Sequence, residues 1–243
     1  MTPEILDRLS AALRTRCLAV LATRLPDGAQ LLLREQDGIL MPDEPDTALP
    51  HARLAAIATE VASSERSKVV SLDGHSWFLH VHAPPPRLLV VGAVHIAQAL
   101  APLARMVGLA VTVIDPRESF ATAERFPATE LVTTWPDEAL QALSMDRHTA
   151  IVTLTHDPKL DDPALDAALN GPAFYIGALG SRKTQAARHA RLRESGFDEA
   201  AIARIRGPVG LPIGAIGAPE IALSIIAEIV AVRRGAVLAG RPA

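Results

Sequence analysis

Arg87-Leu-Leu-Val-Val-Gly92 is an apolar run that ends at a glycine, and Gly92-Ala-Val-His95 leads from it into a helical stretch, Ile96 to Val107. The next apolar run, Ala110-Val-Thr-Val-Ile-Asp115, ends in an acid. A buried strand, a glycine turn, a helix and a second strand with a terminal acid form the opening unit of a dinucleotide-type fold. In this unit the helix N-terminus presents free N–H groups to a phosphate, and we expect Asp115 to reach a ribose diol.

The glycine motif departs from the dinucleotide fingerprint at its second position. The fingerprint has Gly there so that the backbone can approach a pyrophosphate, whereas this chain has Val94, with Ala97 at the third position. A β-branched side chain holds a pyrophosphate away from the backbone. The motif alone therefore leaves two ligand classes open, NAD(P) and another phosphate-bearing compound.

Composition limits the class of protein. The chain has 243 residues, 49% of them hydrophobic, and this indicates a globular α/β protein with one large domain or two modest ones. Its net charge of −3 argues against a nucleic-acid partner. The one cysteine, Cys17, excludes an internal disulfide framework. Since the sequence has neither an apolar signal core nor a membrane span, we expect a cytoplasmic protein.

Two domains are predicted, with the boundary at the stiff run Pro84-Pro-Pro86. Residues 1–83 read as a small α+β domain, in which Asp27-Gly28 and Asp37-Gly38 mark the turns of an antiparallel meander. Its predicted helices are Ile5–Leu13 and Thr47–Ser63, and its predicted strands include Cys17–Thr23, Lys68–Leu72 and Ser76–His82.

Residues 84–243 read as a Rossmann-like, doubly wound parallel sheet, because strands and helices alternate along them. After the two strands already described, the pattern predicts strands at Glu130–Thr133, Thr149–Thr155 and Ala173–Gly177, and helices at Pro136–Leu143, Pro163–Leu169, Thr184–Ser195 and Pro219–Arg234. In such sheets, ligands bind at the carboxyl ends of the strands, where the strand order reverses.

Polar residues follow four of these predicted strands. The loop Gly177-Ala-Leu-Gly-Ser-Arg-Lys183 combines two glycines, a hydroxyl and two cations, which suits a phosphate or another oxyanion. The alternative is that Gly180 and Ser181 cap a helix and Arg182 is solvated. The predicted cofactor-binding set is Gly92, His95, Asp115, Arg117, His156, Gly177, Gly180, Ser181, Arg182 and Lys183.

Two histidine patterns raise the question of other chemistry. Adjacent loop residues seldom bring their side chains together, so His156 and Asp157 are interpreted as a ligand contact and a helix cap. His80 and His82, with His75 nearby, lack a third metal ligand at a familiar spacing. No catalytic residue and no metal site is predicted.

Seven sequence blocks together resemble the XdhC/CoxI family, the xanthine dehydrogenase accessory factors. The resemblance covers residues 87–235, and the family usually has Gly where this chain has Val94. Residues 1–83 lack the Gly/Ser-rich motif of many members. The blocks are Gly92–His95, Val113–Arg117, Glu124–Pro127, Thr155–Asp157, Tyr175–Lys183, Gly207–Gly214 and Pro219–Glu228.

The resemblance implies an accessory protein rather than an enzyme. Members of the family bind molybdenum cofactor, as molybdopterin or its dinucleotide, and deliver it to molybdenum hydroxylases such as xanthine or carbon monoxide dehydrogenase. The resemblance also implies two further candidate partners, a cysteine desulfurase and a second copy of the chain in a homodimer. The alternative function is that of an NAD(P)-binding oxidoreductase that uses the same crevice.

Overall fold

The computed structural model describes residues 2–25, 27–43 and 50–236, with the side chain of His51 left out. The chain divides into two compact units, Met1–Pro84 and Pro85–Ala243. None of the described helices is long and apolar enough to cross a membrane.

The first unit contains a five-stranded antiparallel sheet with the order β3-β2-β1-β5-β4. One sheet face buries Val20, Leu33 and Trp77 against Leu54 and Ala58 of α2. Residues 47–49 of the predicted second helix lie outside the described residues. The elements are α1 (Pro3–Arg14), β1 (Ala19–Leu25), β2 (Gln30–Gln36), β3 (Ile39–Pro42), α2 (His51–Ser63), β4 (Lys68–Leu72) and β5 (His75–His82).

The second unit alternates strands and helices, as the sequence predicts. Its elements are β6 (Arg87–Val91), α3 (His95–Met106), β7 (Ala110–Ile114), β8 (Glu130–Val132), α4 (Pro136–Ala142), β9 (Thr149–Thr153), α5 (Pro158–Leu169), β10 (Tyr175–Ala178), α6 (Arg182–Glu194), α7 (Glu199–Ala203), β11 (Ile205–Arg206) and α8 (Ala218–Arg233).

These strands form a six-stranded parallel sheet with the order β11-β10-β9-β6-β7-β8. Counted from β6, this is the 3-2-1-4-5-6 order of the Rossmann fold read from the opposite edge. The chain first winds outward through β7 and β8 and then returns to the other side of β6 as β9. The predicted α/β fold class, a Rossmann-like parallel sheet together with a smaller antiparallel unit, is confirmed.

Helices cover both faces of the parallel sheet. On one face Leu88 and Val90 of β6 pack with Leu100 of α3 and Ile225 of α8. On the other face Leu89 and Val91 of the same strand share a core with residues of α4, α5, α6 and α7. Alternate residues of β6 therefore enter opposite cores, and this explains why the strand is apolar throughout.

Several boundaries differ from the sequence expectation. The pattern predicts that the fifth strand ends at Gly177, whereas β10 continues to Ala178. The last-but-one long helix begins at Arg182 rather than Thr184, because Ser181 caps it by accepting the N–H of Thr184. The short elements α7 and β11 are not predicted, since a two-residue strand carries no readable alternation.

Candidate functional site

The sheet has its topological switch point between β6 and β9, which lie side by side although β7 and β8 come between them along the chain. Connections from these two strands leave toward opposite faces, so a crevice opens at their carboxyl ends. We call the residues that follow β6, β7, β9 and β10 the carboxyl edge: 92–95, 115–117, 155–157 and 179–183. Nine of the ten predicted binding residues fall in it, the exception being Gly177.

Gly92 occupies the turn after β6 because no other residue fits there. Its φ is +111°, which L side chains rarely adopt. A Cβ on Gly92 would lie 2.6 Å from Cγ2 of Thr155, in the loop after β9. The glycine therefore allows the loops on the two sides of the switch point to touch, a role that the phosphate-binding motif did not reveal.

Asp115 at the end of β7 is fully buried and organises its neighbours. Its Oδ2 accepts the Ala93 N–H at 2.8 Å, and its two oxygens receive the Arg117 guanidinium at 2.8 and 2.7 Å. Burial alone would raise the pKa of Asp115, but the hydrogen bonds from Arg117 and from the Ala93 N–H outweigh it and lower the pKa below 3.8.

This geometry bears on the role expected for Asp115. The strand pattern predicts that it contacts a ribose, and in the structure its carboxylate has no exposed surface and is bound by Ala93 and Arg117. A ribose contact by Asp115 stays a prediction, and it would require one of these hydrogen bonds to open. At this strand end the exposed group is Arg117, whose side chain is 39% exposed. The Arg117 guanidinium also lies over the Phe120 ring, 4.6 Å from its centroid.

The loop after β9 places His156 at the carboxyl edge. His156 has a φ of +62°, in the left-handed region, and is exposed. Asp157 accepts the N–H of Lys159 at 3.0 Å and so caps α5, which confirms the interpretation of Asp157 as a cap. A ligand contact by His156, the other residue of this pair, stays a prediction.

A buried polar network lies beneath this loop. Thr155 donates its hydroxyl to Asp161 Oδ1 at 2.7 Å, and Arg188 of α6 approaches Asp161 Oδ2 at 3.3 Å. Arg188 also donates to Gln185 Oε1 at 2.6 Å and to the Leu179 carbonyl at 3.2 Å. The network ties the loop after β9 to the turn after β10, so both are held rigidly.

In this network, burial shifts the pKa values more than the attraction between the opposite charges does. Asp161 and Arg188 are 1% and 2% exposed. Burial raises the pKa of Asp161 and lowers that of Arg188, against the attraction between the two groups. No sequence pattern indicates this network, because α6 is polar on all sides and nothing distinguishes its inward-facing residues.

For the turn after β10 the sequence allowed two interpretations, a helix cap or a site for an oxyanion, and the structure shows features of both. Ser181 caps α6, and Gly180, with φ +141°, would place a Cβ 2.9 Å from the Thr184 side chain. Arg182 and Lys183 lie in the first helical turn, are exposed, and make no side-chain hydrogen bond or ion pair with another described residue. Two cations are thus added to the positive end of a helix.

Gly177 lies within β10, between β9 and β11, and not in this turn. A Cβ there would come within 2.5 Å of Val209 Cγ2 and 2.8 Å of the Tyr175 ring, so its function in the fold is close packing. The Tyr175 hydroxyl and the Gly210 N–H both donate to the buried Glu228 of α8, at 2.6 and 2.8 Å. An acid in the apolar stretch of α8 is a sequence signal that could have indicated this buried site.

The donor set suits a phosphate-bearing organic ligand. Exposed or partly exposed side chains of the carboxyl edge that can donate hydrogen bonds to a ligand include His95, Arg117, His156, Ser181, Arg182 and Lys183. Asp157 is partly exposed as well, but its carboxylate caps α5. The α3 N-terminus beside them has no side-chain cap. Among the residues that the structure describes, no three His, Cys, Asp or Glu side chains come together as ligands for a metal ion.

Comparisons with known proteins agree with the fold. Residues 88–229 match the family model of the XdhC Rossmann domain. A solved structure described as a xanthine dehydrogenase from Bacillus halodurans superposes with a TM-score of 0.67 at 22% identity, covering 96% of this chain and 67% of that one. At that identity, the likeness is one of fold.

Curated relatives are more similar in sequence. The chain is 32% identical over 188 residues to the uncharacterized protein YqeB of Escherichia coli, covering 76% of this chain and 34% of YqeB. It is 35% identical to a probable xanthine dehydrogenase subunit of Bacillus subtilis, over 65% of this chain and 46% of that protein. It is 34% identical to the molybdenum cofactor insertion chaperone PaoD of Escherichia coli, over 62% and 41%. The matched parts thus span between a third and a half of these relatives.

Proposed function

The chain belongs to the XdhC family, and from that premise we propose that it binds molybdenum cofactor and delivers it to a molybdenum hydroxylase. The named relatives support an accessory role: one is called a molybdenum cofactor insertion chaperone and another a probable xanthine dehydrogenase subunit. The specific cofactor, the client enzyme and the delivery step are our proposals. The cytoplasmic location stays a prediction.

The observation that carries the proposal is the chemistry of the carboxyl edge. Molybdenum cofactor is an organic pterin with a phosphate, and the edge offers donors and cations around a switch point, with Arg182 and Lys183 free of any described partner. Phosphate prefers such cationic, N–H-rich surroundings at a helix start. We infer that Arg182, Lys183 and Ser181 hold the phosphate.

Other residues of the edge would hold the pterin. His95 and His156 lie on opposite sides of the switch point, so their ring N–H groups can donate to pterin oxygens. Asp115 has an indirect role: it accepts the Ala93 N–H of the turn after β6, and it holds the Arg117 guanidinium at the carboxyl edge. When bound, the cofactor supplies the molybdenum-centred redox chemistry of the client, while this chain's residues bind and orient it.

The rival function is that of an NAD(P)-dependent oxidoreductase, and the Rossmann strand order favours it. Against it, the residue immediately before α3 is Val94, which packs partly on the core, whereas the dinucleotide fingerprint has Gly there so that the backbone can approach a pyrophosphate. We expect native protein to bind NAD poorly and Val94→Gly to bind it more tightly. Calorimetry on both forms checks this; tight native binding would favour the oxidoreductase.

The proposed partners follow from the same premise. A molybdenum hydroxylase is the client, and we propose that the unit Met1–Pro84 docks it. A cysteine desulfurase and a second copy of this chain are further proposed partners. Mixing the purified chain with each candidate and measuring complex formation by analytical ultracentrifugation tests these assignments separately.

An insertion assay tests the function itself. The chain is loaded with molybdenum cofactor and added to a molybdenum hydroxylase prepared without cofactor, and recovered hydroxylase activity is compared with that given by the same amount of free cofactor. We expect faster and fuller recovery with the loaded chain, and a loss of this advantage in Lys183→Ala. Equal recovery with and without the chain would contradict the proposal.

A further inference from the structure

A cavity of about 910 Å³ lies along the edge strand β11, at the end of the parallel sheet remote from β8. Its walls come from the turn after β10, from α7, from the Gly/Pro-rich loop 207–214 and from the start of α8. Small-molecule sites in proteins have volumes of roughly 300–1,000 Å³, so it is large enough for a nucleotide. Of the residues that line this cavity, the function proposed above uses Arg182 alone.

The charge of the cavity is positive. Three arginines line it, Arg182, Arg204 and Arg206, and none of the described residues that line it is an Asp or a Glu. Arg204 is held in place, since its guanidinium donates to the carbonyls of Leu169, Gly171 and Ala173 at 2.6, 2.9 and 3.3 Å. The cavity therefore has a net positive charge that no lining carboxylate among the described residues offsets.

Two of these cations are available to a ligand. The side chains of Arg182 and Arg206 make no hydrogen bond or ion pair with any other described residue. Ile205 is buried in the core formed with α5 and α7, and strand alternation directs Arg206 to the opposite side. A guanidinium forks onto two phosphate oxygens, so a pair of them suits a diphosphate better than a single phosphate.

The remaining walls suit a flat organic group. Phe174, Leu179 and Ile221 line the cavity and are only partly buried, although each also packs on the core. Apolar and aromatic walls with a few converging polar groups are typical of small-molecule sites. The same cavity thus combines apolar surface for a base with two cations for a diphosphate.

The loop that forms one wall is fixed by its packing. Gly210 donates its N–H to the buried Glu228, and a Cβ on Gly210 would overlap the Ser224 hydroxyl. A Cβ on Gly207 would overlap the Gln185 side chain. Gln185 donates to the Ala178 carbonyl at the end of β10, and so does the Val209 N–H of the loop, at 3.2 Å, so this wall is held against β10.

We propose that this cavity binds a nucleoside diphosphate group, with Arg182 and Arg206 on the diphosphate. The inference rests on the proposed function only for the identity of the whole ligand, which would be the dinucleotide form of molybdenum cofactor. Arg182 lies both at the carboxyl edge and in the cavity, so one extended ligand can occupy the two sites together.

The first test uses cytidine, guanosine and adenosine diphosphates and inorganic pyrophosphate as probes, titrated calorimetrically into the full chain. At least one nucleoside diphosphate should bind, and more tightly than pyrophosphate. Arg206→Ala should weaken its binding by about 10- to 100-fold, the effect of losing one charge-assisted contact. Ala203→Trp, which fills the cavity and keeps both cations, should weaken it as well.

Arg193→Ala is the matched control, because it removes one positive charge from α6 at a position that does not line the cavity. It should leave nucleotide binding unchanged. If no nucleoside diphosphate binds, or if Arg206→Ala behaves like Arg193→Ala, the cavity is not a nucleotide site.

A second arm identifies the source of the nucleotide. Arg206→Ala should weaken binding of the dinucleotide form of molybdenum cofactor and leave binding of molybdopterin, the form without a nucleotide, unaffected. If free nucleoside diphosphates bind through Arg206 but the dinucleotide cofactor does not, the cavity takes a separate nucleotide. If molybdopterin binds and Arg206 affects no ligand, the function proposed above stands and the cavity inference fails.

Discussion

Gly92 combines two constraints that can be separated by experiment. Gly92→Ala forces an L residue to φ +111° and sets a methyl group against Thr155 Cγ2. We expect a loss of about 2–4 kcal/mol in the free energy of unfolding, from backbone strain and overpacking together. Urea unfolding of the native and mutant chains measures it.

Gly108→Ala separates the two causes, because Gly108 has φ +84° and nothing within 4 Å of the added methyl. It should cost about 1 kcal/mol, the effect of backbone strain alone. Thr155→Ser, which removes Cγ2 but keeps the hydroxyl on Asp161, should restore part of the stability lost in Gly92→Ala. Equal losses at both glycines would show that the contact with Thr155 is unimportant.

Asp115 gives a pH-dependent prediction. Asp115→Asn replaces an acceptor oxygen by an amide that faces donors from Ala93 or Arg117, and should cost about 2–4 kcal/mol at pH 7. Because the folded pKa of Asp115 is lowered, its contribution is present above the unfolded value near 3.8 and is lost as the pH falls through the folded pKa. The difference in the free energy of unfolding between the native chain and Asp115→Asn should therefore narrow below pH 3.8.

Asp157→Asn is the control for the same chemical change. Asn caps helices about as well as Asp, so this variant should lose little stability at any pH. A stability difference for Asp115→Asn that stays constant from pH 7 to low pH would contradict the role given to the ionised carboxylate. The measurement is urea unfolding at a series of pH values.

At the scale of elements, α5 and α6 hold the loops of the carboxyl edge through a buried ion pair. Arg188→Met should cost about 3–5 kcal/mol, because it leaves the Asp161 carboxylate buried without its cation. Adding Asp161→Asn should recover much of this loss, since the amide oxygen can still accept from Thr155. Thermal and urea unfolding of the single and double variants measure the coupling.

The same two helices share a second ion pair, which lies at the surface and serves as the control for the buried pair. Arg191 of α6 contacts Asp162 of α5 at 2.5 Å, but its side chain is 39% exposed. Arg191→Met should therefore cost less than about 1 kcal/mol. If Arg191→Met destabilises the chain as much as Arg188→Met, burial is not what makes the inner pair important.

Element prediction from the sequence succeeded where the pattern was long and failed where it was short. The apolar runs of β6, β7 and β9 indicated a buried parallel sheet, since strands covered on both faces have no polar side. The two-residue strand β11 showed no pattern, and with it the edge cavity was missed. The start of α6 was misplaced because Ser181 and Thr184 both suit a helix start.

Side-chain partners at the site were harder to predict than its position. Strand ends identified the carboxyl edge, but the sequence could not show that Asp115 would be enclosed by Ala93 and Arg117. Nor could it show that Gly177 would lie against Val209. Both outcomes depend on tertiary contacts between segments far apart in sequence, which no local pattern encodes.

At the scale of the whole molecule, two sites suit one class of ligand. A Rossmann-like unit of the XdhC family presents cations and N–H donors at its switch point, and a second, positively charged cavity lies at the end of the same sheet. We propose that the first binds the pterin and phosphate of molybdenum cofactor and that the second binds the nucleotide of its dinucleotide form. Binding of molybdenum cofactor is therefore the property on which the proposed function depends.

The ligand that the chain retains when purified from cells that make molybdenum cofactor tests this property. The extract is oxidised, its pterin is quantified by fluorescence, and any nucleotide is identified by mass spectrometry. We predict a pterin near one per chain in the native protein, with much less in Lys183→Ala and an unchanged amount in Arg193→Ala. A native chain that carries no pterin, or that carries an adenine dinucleotide in its place, would contradict the binding of molybdenum cofactor.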